Sequence, residues 1–456
     1  MTGATRELAS FVATTGFADL PAGLVEQAKP FILDNLAVGL IGSVQPWSEM
    51  VAATVHELGG SEQASIFNRD WRTDVARATL VNGVMLGAFE AEHVGHAAHP
   101  SASVFPAALA VAECNHADGQ AFLLAMLLGY EVVCRVGAAQ TRATEDERGF
   151  HNPGVNGVFG SAAAVGKLLG LNADQLTTAF GIAGSHAGGL IEFVFEGAMT
   201  KRLHPGRAAQ LGLESALFAR AGFTGPTTVL EGRHGYLQAY SPSPRAERLV
   251  ADLGRNWLAA EVTPKAYPCH STHQAVVHAI QELKRRQPID PDSIERVLVR
   301  VEPRAADARF LERQPRTLLG AQCSLPFSCA IALTRDLSNP YTYDESALSD
   351  AGVLQLASRI EVEATSSRQQ VELELDGRHQ VLPAEDYPGS VEHPLDFASA
   401  VDKLRRYAAP LVGDRRVAHI ADLVLHIDRL DDVRPLAESI TSAEAITSAT
   451  SRPLHV

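Results

Sequence analysis

Hydrophobic positions in the first half of the chain recur at helical spacing. Leu8, Phe11 and Val12 share one face, and Leu24, Ala28 and Phe31 share another. Leu36 and Leu40 extend the second face into DNLAVGLIG, which ends in glycine. This pattern predicts helix from Thr5 to about Gly42. Two more helices are expected over 47–58 and 74–83, separated by Gly59-Gly60 and the short apolar piece ASIF. His99-Pro100-Ser101 opens another over ASVFPAALAVAECN, because proline suits a first helical turn. Alanine-rich helices are expected over 119–137 and 155–170. Asn172 is placed to cap a helix ending near Gly188-Gly189, and a further helix covers 206–222.

The period changes after about Val262. SIERVLVRVEP, RIEVEA and VELELDG alternate apolar with polar residues, as half-buried strands do. Asp376-Gly377 ahead of HQVLPAE predicts a hairpin. From Asp396 onward, VDKLRRYAAPL and HIADLVLHIDRL return to helical spacing, and the tail TSAEAITSATSRPLHV reads as loosely held. No internal repeat is present. The expected fold class is therefore mainly α: a large, discontinuous all-helical domain (1–261 and 395–456) with a smaller inserted α+β lid domain (262–394).

Composition narrows the function classes. A chain of 456 residues, 46% hydrophobic and 20% charged, can bury a large core in two or three domains. A formal charge of −14 argues against nucleic acid and anionic membrane as partners. The five cysteines (Cys114, Cys134, Cys269, Cys323 and Cys329) are irregularly spaced without a CxxC, which predicts free thiols in a reducing compartment and no metal cluster. MTGATRELASFV lacks the layout of a signal peptide, and the apolar run FLLAMLLGY is too short to span a bilayer. A cytoplasmic location is expected.

Candidate chemistry centres on residues 149–212, where His151, His186, Lys201, His204 and Arg207 stand among glycine and alanine. Small residues let helices approach closely, so polar groups among them are expected at depth, paired or functional. His99, just before a helix start, suits a neutral histidine near an anionic substrate; a plain capping or surface histidine is the competing reading. EAEHVGHAAH gathers Glu90, Glu92, His93 and His96, either a metal site or, better, an exposed polar loop without an H-E-x-x-H motif. Lys201, with Arg202, His204 and Arg207, forms a basic cluster just ahead of a helix, either a carboxylate cradle or a solvated basic face. KAYPCHSTHQAVVHAI brings Lys265, His270 and His273 to the predicted domain boundary, where clefts form; a polar linker is the alternative. Cys269 reads as a structural thiol, and GVNGVFG as a site of tight helix packing, since no strand precedes it.

Together VNGVMLGAFEAEH, HPSASVFPAALAVAE, GFHNPGVNGVFGSAAAVGKLLGL, GSHAGG, MTKRLHPGRAAQLGLESALFARAGFTGP, KAYPCHSTHQAV and GAQCSLPFSCAIAL resemble the MmgE/PrpD family. That family holds 2-methylcitrate dehydratases, cis-aconitate decarboxylases and iminodisuccinate epimerases. The resemblance implies a helical domain with a smaller α+β lid, homodimers, and no metal or organic cofactor. It implies that His99, His151, Lys201 and His273 or His270 face one pocket; we expect His99, His151, Lys201 and His273 to be catalytic and Glu90, His204, Arg207, Lys265 and His270 to bind substrate. One departure stands out. Many members carry a DFDD-type run where this chain has Glu90-Ala91-Glu92-His93, and the loop to His99 is one residue shorter. The expected function is a cofactor-independent lyase acting on a di- or tricarboxylic acid through a stabilised carbanion. A 2-methylcitrate-type dehydratase stands first. A cis-aconitate-type decarboxylase, an iminodisuccinate-type epimerase and a catalytically weak dimeric binding protein are the alternatives.

Overall fold

A computed structural model describes residues 3–442, so most of the tail read as loosely held, residues 443–456, lies outside the described residues. The fold is mainly α with one small sheet-bearing unit. The chain divides into two compact units. One comprises the described residues up to Ile191, Thr200–Val262 and those from Asp396 on; the other comprises Glu192–Met199 and Thr263–Leu395.

The helical unit is built on long helices, Ala22–Gly42, Gly119–Gln140, Asn152–Leu168 and Thr200–Arg220. Their close approach explains the small residues. A Cβ on Gly83 would lie 2.6 Å from the Cα of Gly206, and one on Gly157 would lie 2.7 Å from the Cβ of Ser103. No side chain fits at either crossing, so glycine lets helix Val75–Leu86 approach Thr200–Arg220, and helix Asn152–Leu168 approach Pro100–Ser103. The GVNGVFG stretch is thus a packing surface.

Several expected boundaries move. Helix Ala173–Gly184 has its capping box at Asn172 and Gln175 but stops before Gly188-Gly189. The HPS segment makes one short turn, Pro100–Ser103, and breaks at Val104 before Phe105–Cys114 begins. Gly119–Gln140 has 22 residues and is long and apolar enough to cross a membrane, unlike the shorter run read from sequence, but 94% of its apolar window is buried inside the protein. It is a core helix. The ASIF piece supplies Ala64–Ser65, which pairs with Arg72–Thr73.

In the second unit the sheet runs Ile360–Ala364, Ile294–Val301, Gln370–Leu375, Arg378–Pro383 in spatial order. Val299 pairs in parallel with Val362 and antiparallel with Val371. Val371, Leu373 and Leu375 point inward, as the alternation requires. Asp376 and Gly377 both have positive φ, 50° and 68°, and close the expected hairpin. The parallel pair needs a crossover, which helices Leu318–Cys323, Leu325–Thr334 and Ala351–Arg359 carry.

Candidate active site

The helical unit gathers most of the candidate residues around the loop between Leu86 and Pro100. The loop is strained: Glu90, His96 and Ala97 have φ of 57°, 48° and 58°, the left-handed region that non-glycine residues avoid. Neighbours hold it there. The Ala88 carbonyl accepts from Trp47 Nε1 at 3.1 Å and from Arg202 Nε at 2.8 Å, with the Arg202 guanidinium stacked 3.9 Å from the Trp47 ring centre. Asn156 Nδ2 donates to the Ala97 carbonyl at 2.7 Å.

The loop is buried rather than exposed, which corrects the expectation for EAEHVGHAAH. Glu90, Glu92 and His93 are 1%, 3% and 0% exposed. Each has a defined partner. Glu90 pairs with the Lys201 ammonium. Glu92 Oε1 accepts from His99 Nδ1 at 2.7 Å. His93 Nε2 meets Asp34 Oδ2 at 3.0 Å, and Asp34 Oδ1 accepts from Lys403 Nζ at 2.5 Å. Burial alone would raise the Asp34 carboxyl, but Lys403 and His93 outweigh it and hold the group below the usual carboxylate range. Among the described residues, no three His, Cys, Asp or Glu side chains are grouped to hold a metal ion.

Lys201 and Arg202 are inside the first turn of helix Thr200–Arg220, not ahead of it, and both are buried. A solvated basic face is therefore excluded for them. His204, one turn on, sits on the same side as Lys201 and reaches His151. Their Nδ1 atoms are 3.0 Å apart. The His99 and His151 rings are 6.3 Å apart and the His151 and His204 rings 5.1 Å. Arg207 points elsewhere: it is exposed and donates to Gln210.

The electrostatics follow from burial. Desolvation, reinforced by the Lys201 charge, lowers His204 to about 4, so its ring is neutral at pH 7. The Nδ1–Nδ1 contact holds one shared proton, and the ring that accepts it carries its own proton on Nε2. The pair therefore offers an acid. His99 is oriented differently: the Glu92 carboxylate takes its Nδ1–H and leaves Nε2 for other work. Glu92, Asp34 and Lys403 were not assigned to the site from sequence. The signal was present for two of them, since Asp34 interrupts FILDNLAVGL and Lys403 falls on the apolar face of VDKLRRY.

The second unit holds the remaining candidates. His273 is fully buried, and burial, then the Lys265 charge, lower it to about 3. Its Nδ1 is 3.4 Å from Ser328 Oγ. Lys265 is buried as well. His270 caps the 3₁₀ turn Ser271–His273, bonds Thr272 Oγ1 at 2.9 Å and stacks on Phe310. Phe327 is buried beside Tyr343. All five cysteines are free. Burial raises the Cys134, Cys269 and Cys329 thiols, so none of these is an activated nucleophile, and Cys269 is structural as expected.

The His151–His204 contact and the buried Lys201–Glu90 pair thus stand together on a glycine-packed helical unit, with a separate small sheet-bearing unit in the same chain. The chain belongs to the MmgE/PrpD family: residues 6–249 match the MmgE/PrpD N-terminal domain and residues 267–428 the MmgE/PrpD C-terminal domain. Its relatives include the cis-aconitate decarboxylase-like protein oryM of Aspergillus oryzae, 29% identical across 96% of this chain and 97% of that protein. The cis-aconitate decarboxylase of Aspergillus terreus is 28% identical across 96% and 95%. The cis-aconitate decarboxylase of Homo sapiens is 26% identical across 90% and 88%.

Proposed function

We propose that the protein is a cofactor-independent lyase that decarboxylates an unsaturated tricarboxylic acid of the cis-aconitate type. The observation that carries this reading is the His151–His204 pair beside the buried Lys201–Glu90 pair. Full-length similarity to cis-aconitate decarboxylases moves decarboxylation ahead of the dehydration placed first on motifs alone.

In the proposed reaction one C–C bond to a carboxylate breaks and CO₂ leaves. The bonding pair stays behind as a carbanion conjugated with the remaining unsaturated carboxylate. Lys201 stabilises that charge, an interaction that strengthens as the charge develops. A histidine Nε2–H then delivers a proton to carbon, the shared proton moves to the ring that gave one up, and one proton taken from solvent by the partner ring restores the pair. His99, oriented by Glu92, is the second proton-transfer group. Glu90 keeps Lys201 charged and in place. Lys265, His270 and His273 are assigned to the same reaction from their positions in the family motifs, the first two toward carboxylates and His273 toward proton transfer. Arg207 remains a substrate-binding candidate on motif position alone. Dehydration of a 2-methylcitrate-type acid is the second reading, since the motifs serve either carbanion. Homodimeric assembly and a cytoplasmic location belong to the same proposal; light scattering on the purified chain checks the first.

Proton NMR of chelator-treated protein in D₂O with cis-aconitate, citrate, 2-methylcitrate and iminodisuccinate tests the proposal. Decarboxylation gives new vinyl signals and deuterium at the protonated carbon. Water loss from 2-methylcitrate alone would replace the first reading with the second. Silence across all four acids, or normal turnover by Lys201→Ala, would overturn the site.

A further inference from the structure

His273 ends a closed chain of hydrogen bonds. Its Nδ1 is 3.4 Å from Ser328 Oγ, Ser328 Oγ is 3.2 Å from the Tyr343 hydroxyl, and that hydroxyl donates to the Ala321 carbonyl at 2.9 Å. All three side chains are buried, at 0%, 0% and 2% exposure. The other ring nitrogen, Nε2, is buried and has no hydrogen-bond partner among the described residues.

Counting protons decides the direction of the chain. A carbonyl only accepts, so the Tyr343 proton goes to Ala321. The Tyr343 oxygen is then free to accept the single Ser328 proton, and the Ser328 oxygen accepts from Nδ1–H of His273. This direction makes three hydrogen bonds. In the reverse direction Tyr343 donates to Ser328 and Ser328 to Nδ1. That makes two bonds, deprives Ala321 of the phenol, and leaves a buried Nε2–H with nothing to donate to. Orphaned N–H donors are rarer in proteins than unsatisfied acceptors.

We propose that Ser328 and Tyr343 are positioning residues that hold His273 as the Nδ1–H tautomer, so that its Nε2 enters turnover as a bare lone pair, an acceptor rather than a donor. The tautomer stands on hydrogen bonds alone; its use in catalysis rests on the lyase reading above. In the second reading, dehydration, a base at Nε2 of His273 takes the proton α to a carboxylate as hydroxide leaves; decarboxylation removes no C–H proton, and there the bare nitrogen serves as a hydrogen-bond acceptor.

The experiment is long-range ¹⁵N–¹H correlation on the full-length, ¹⁵N-histidine-labelled protein, with the His273 signals identified by their loss in His273→Gln. The wild type is expected to show a protonated Nδ1 and an unprotonated Nε2. Tyr343→Phe removes the acceptor for Ser328, whose proton then turns to Nδ1, so the tautomer inverts. Ser328→Ala removes the Nδ1 partner and gives a mixture. Both variants should lower kcat on the order of 10-fold, with KM nearly unchanged, because they alter the state of Nε2 in turnover rather than binding. A wild-type spectrum with protonated Nε2, or a folded Tyr343→Phe that keeps the Nδ1–H form, would overturn the proposal. Should Tyr343→Phe not fold, the wild-type and Ser328→Ala spectra decide it. The expected spectra together with no turnover of any polycarboxylate would sink the lyase reading and leave the tautomer standing.

Discussion

At the scale of single residues, the Lys201–Glu90 pair controls how much positive charge the site can offer. Both groups are buried, and a lone buried charge is unstable. Glu90→Gln keeps the shape and removes the countercharge, so Lys201 tends to lose its proton, and with it the ability to stabilise a carbanion. The variant is expected to lose about 3–5 kcal/mol of stability, as does Lys201→Met. The double variant Glu90→Gln/Lys201→Met should lose much less than the sum, because no lone charge remains. Activity does not follow stability: all three variants should be nearly inactive. Denaturant melts of the four proteins, read as a double-mutant cycle, check the coupling. Additive losses would show that the two side chains do not depend on each other. Glu90 occupies a left-handed backbone position, so its shape is set by the loop as much as by its carboxylate.

At the scale of elements, the Asp34–His93–Lys403 set ties three parts of the sequence together: helix Ala22–Gly42, the loop that carries Glu90 and Glu92, and helix Phe397–Val412. His93 also anchors by its backbone, donating to Ser101 Oγ at 2.9 Å. Lys403→Met would leave the buried Asp34 carboxylate with His93 as its remaining side-chain partner. A stability loss of about 3–5 kcal/mol is expected, as for any broken buried pair. His93→Ala should release the loop and lower kcat about 10²-fold without touching substrate, since small misplacements of catalytic groups are expensive. Thermal melts and steady-state kinetics on the two variants check this; wild-type kcat in His93→Ala would show that the loop is held by other means. The sequence conveyed much of the framework. The helical period, the alternating strands and the Asp376-Gly377 hairpin were legible because they are local. His99, His151 and Lys201 were marked as candidates through their motifs. The burial of Glu90 and Glu92 was not legible, because polar loops are usually exposed and only tertiary packing around Ala88 and Ala97 pulls this one inward. Asp34 and Lys403 were missed because they pair with each other across 369 residues. Nor does any pattern mark Glu192–Met199 as part of the sheet-bearing unit.

At the scale of the whole molecule, buried neutral histidines link stability to pH. His204, His273 and His278 are lowered to about 4, 3 and 4 from an ordinary 6.5, each chiefly by burial. In the unfolded chain all three would bind protons as pH falls through 6.5, while the folded chain binds none until pH 3–4. The unfolded state therefore holds more protons in between, stability rises with pH across that window, and acidification erodes it. Glu113 and Glu131 act with the opposite sign: burial raises both carboxyls above 4.5, so the folded state gains protons first. A single net slope mixes these contributions, and a difference isolates one of them. His278 is outside the proposed chemistry. Its Nδ1 is 3.0 Å from the Tyr267 hydroxyl, Arg285 and His393 add to its lowering, and nearby Glu282, 3.9 Å away, is engaged by Arg285. His278→Gln keeps a polar group there and removes the titration. Between pH 4.5 and 6, the variant should take up about one proton fewer on unfolding than the wild type, a slope smaller by about 1.4 kcal/mol per pH unit. Calorimetric unfolding at several pH values, in buffers of different ionisation heat, measures both quantities. Equal proton uptake by the two proteins would mean that His278 titrates alike folded and unfolded, and that its burial does not suppress its charge.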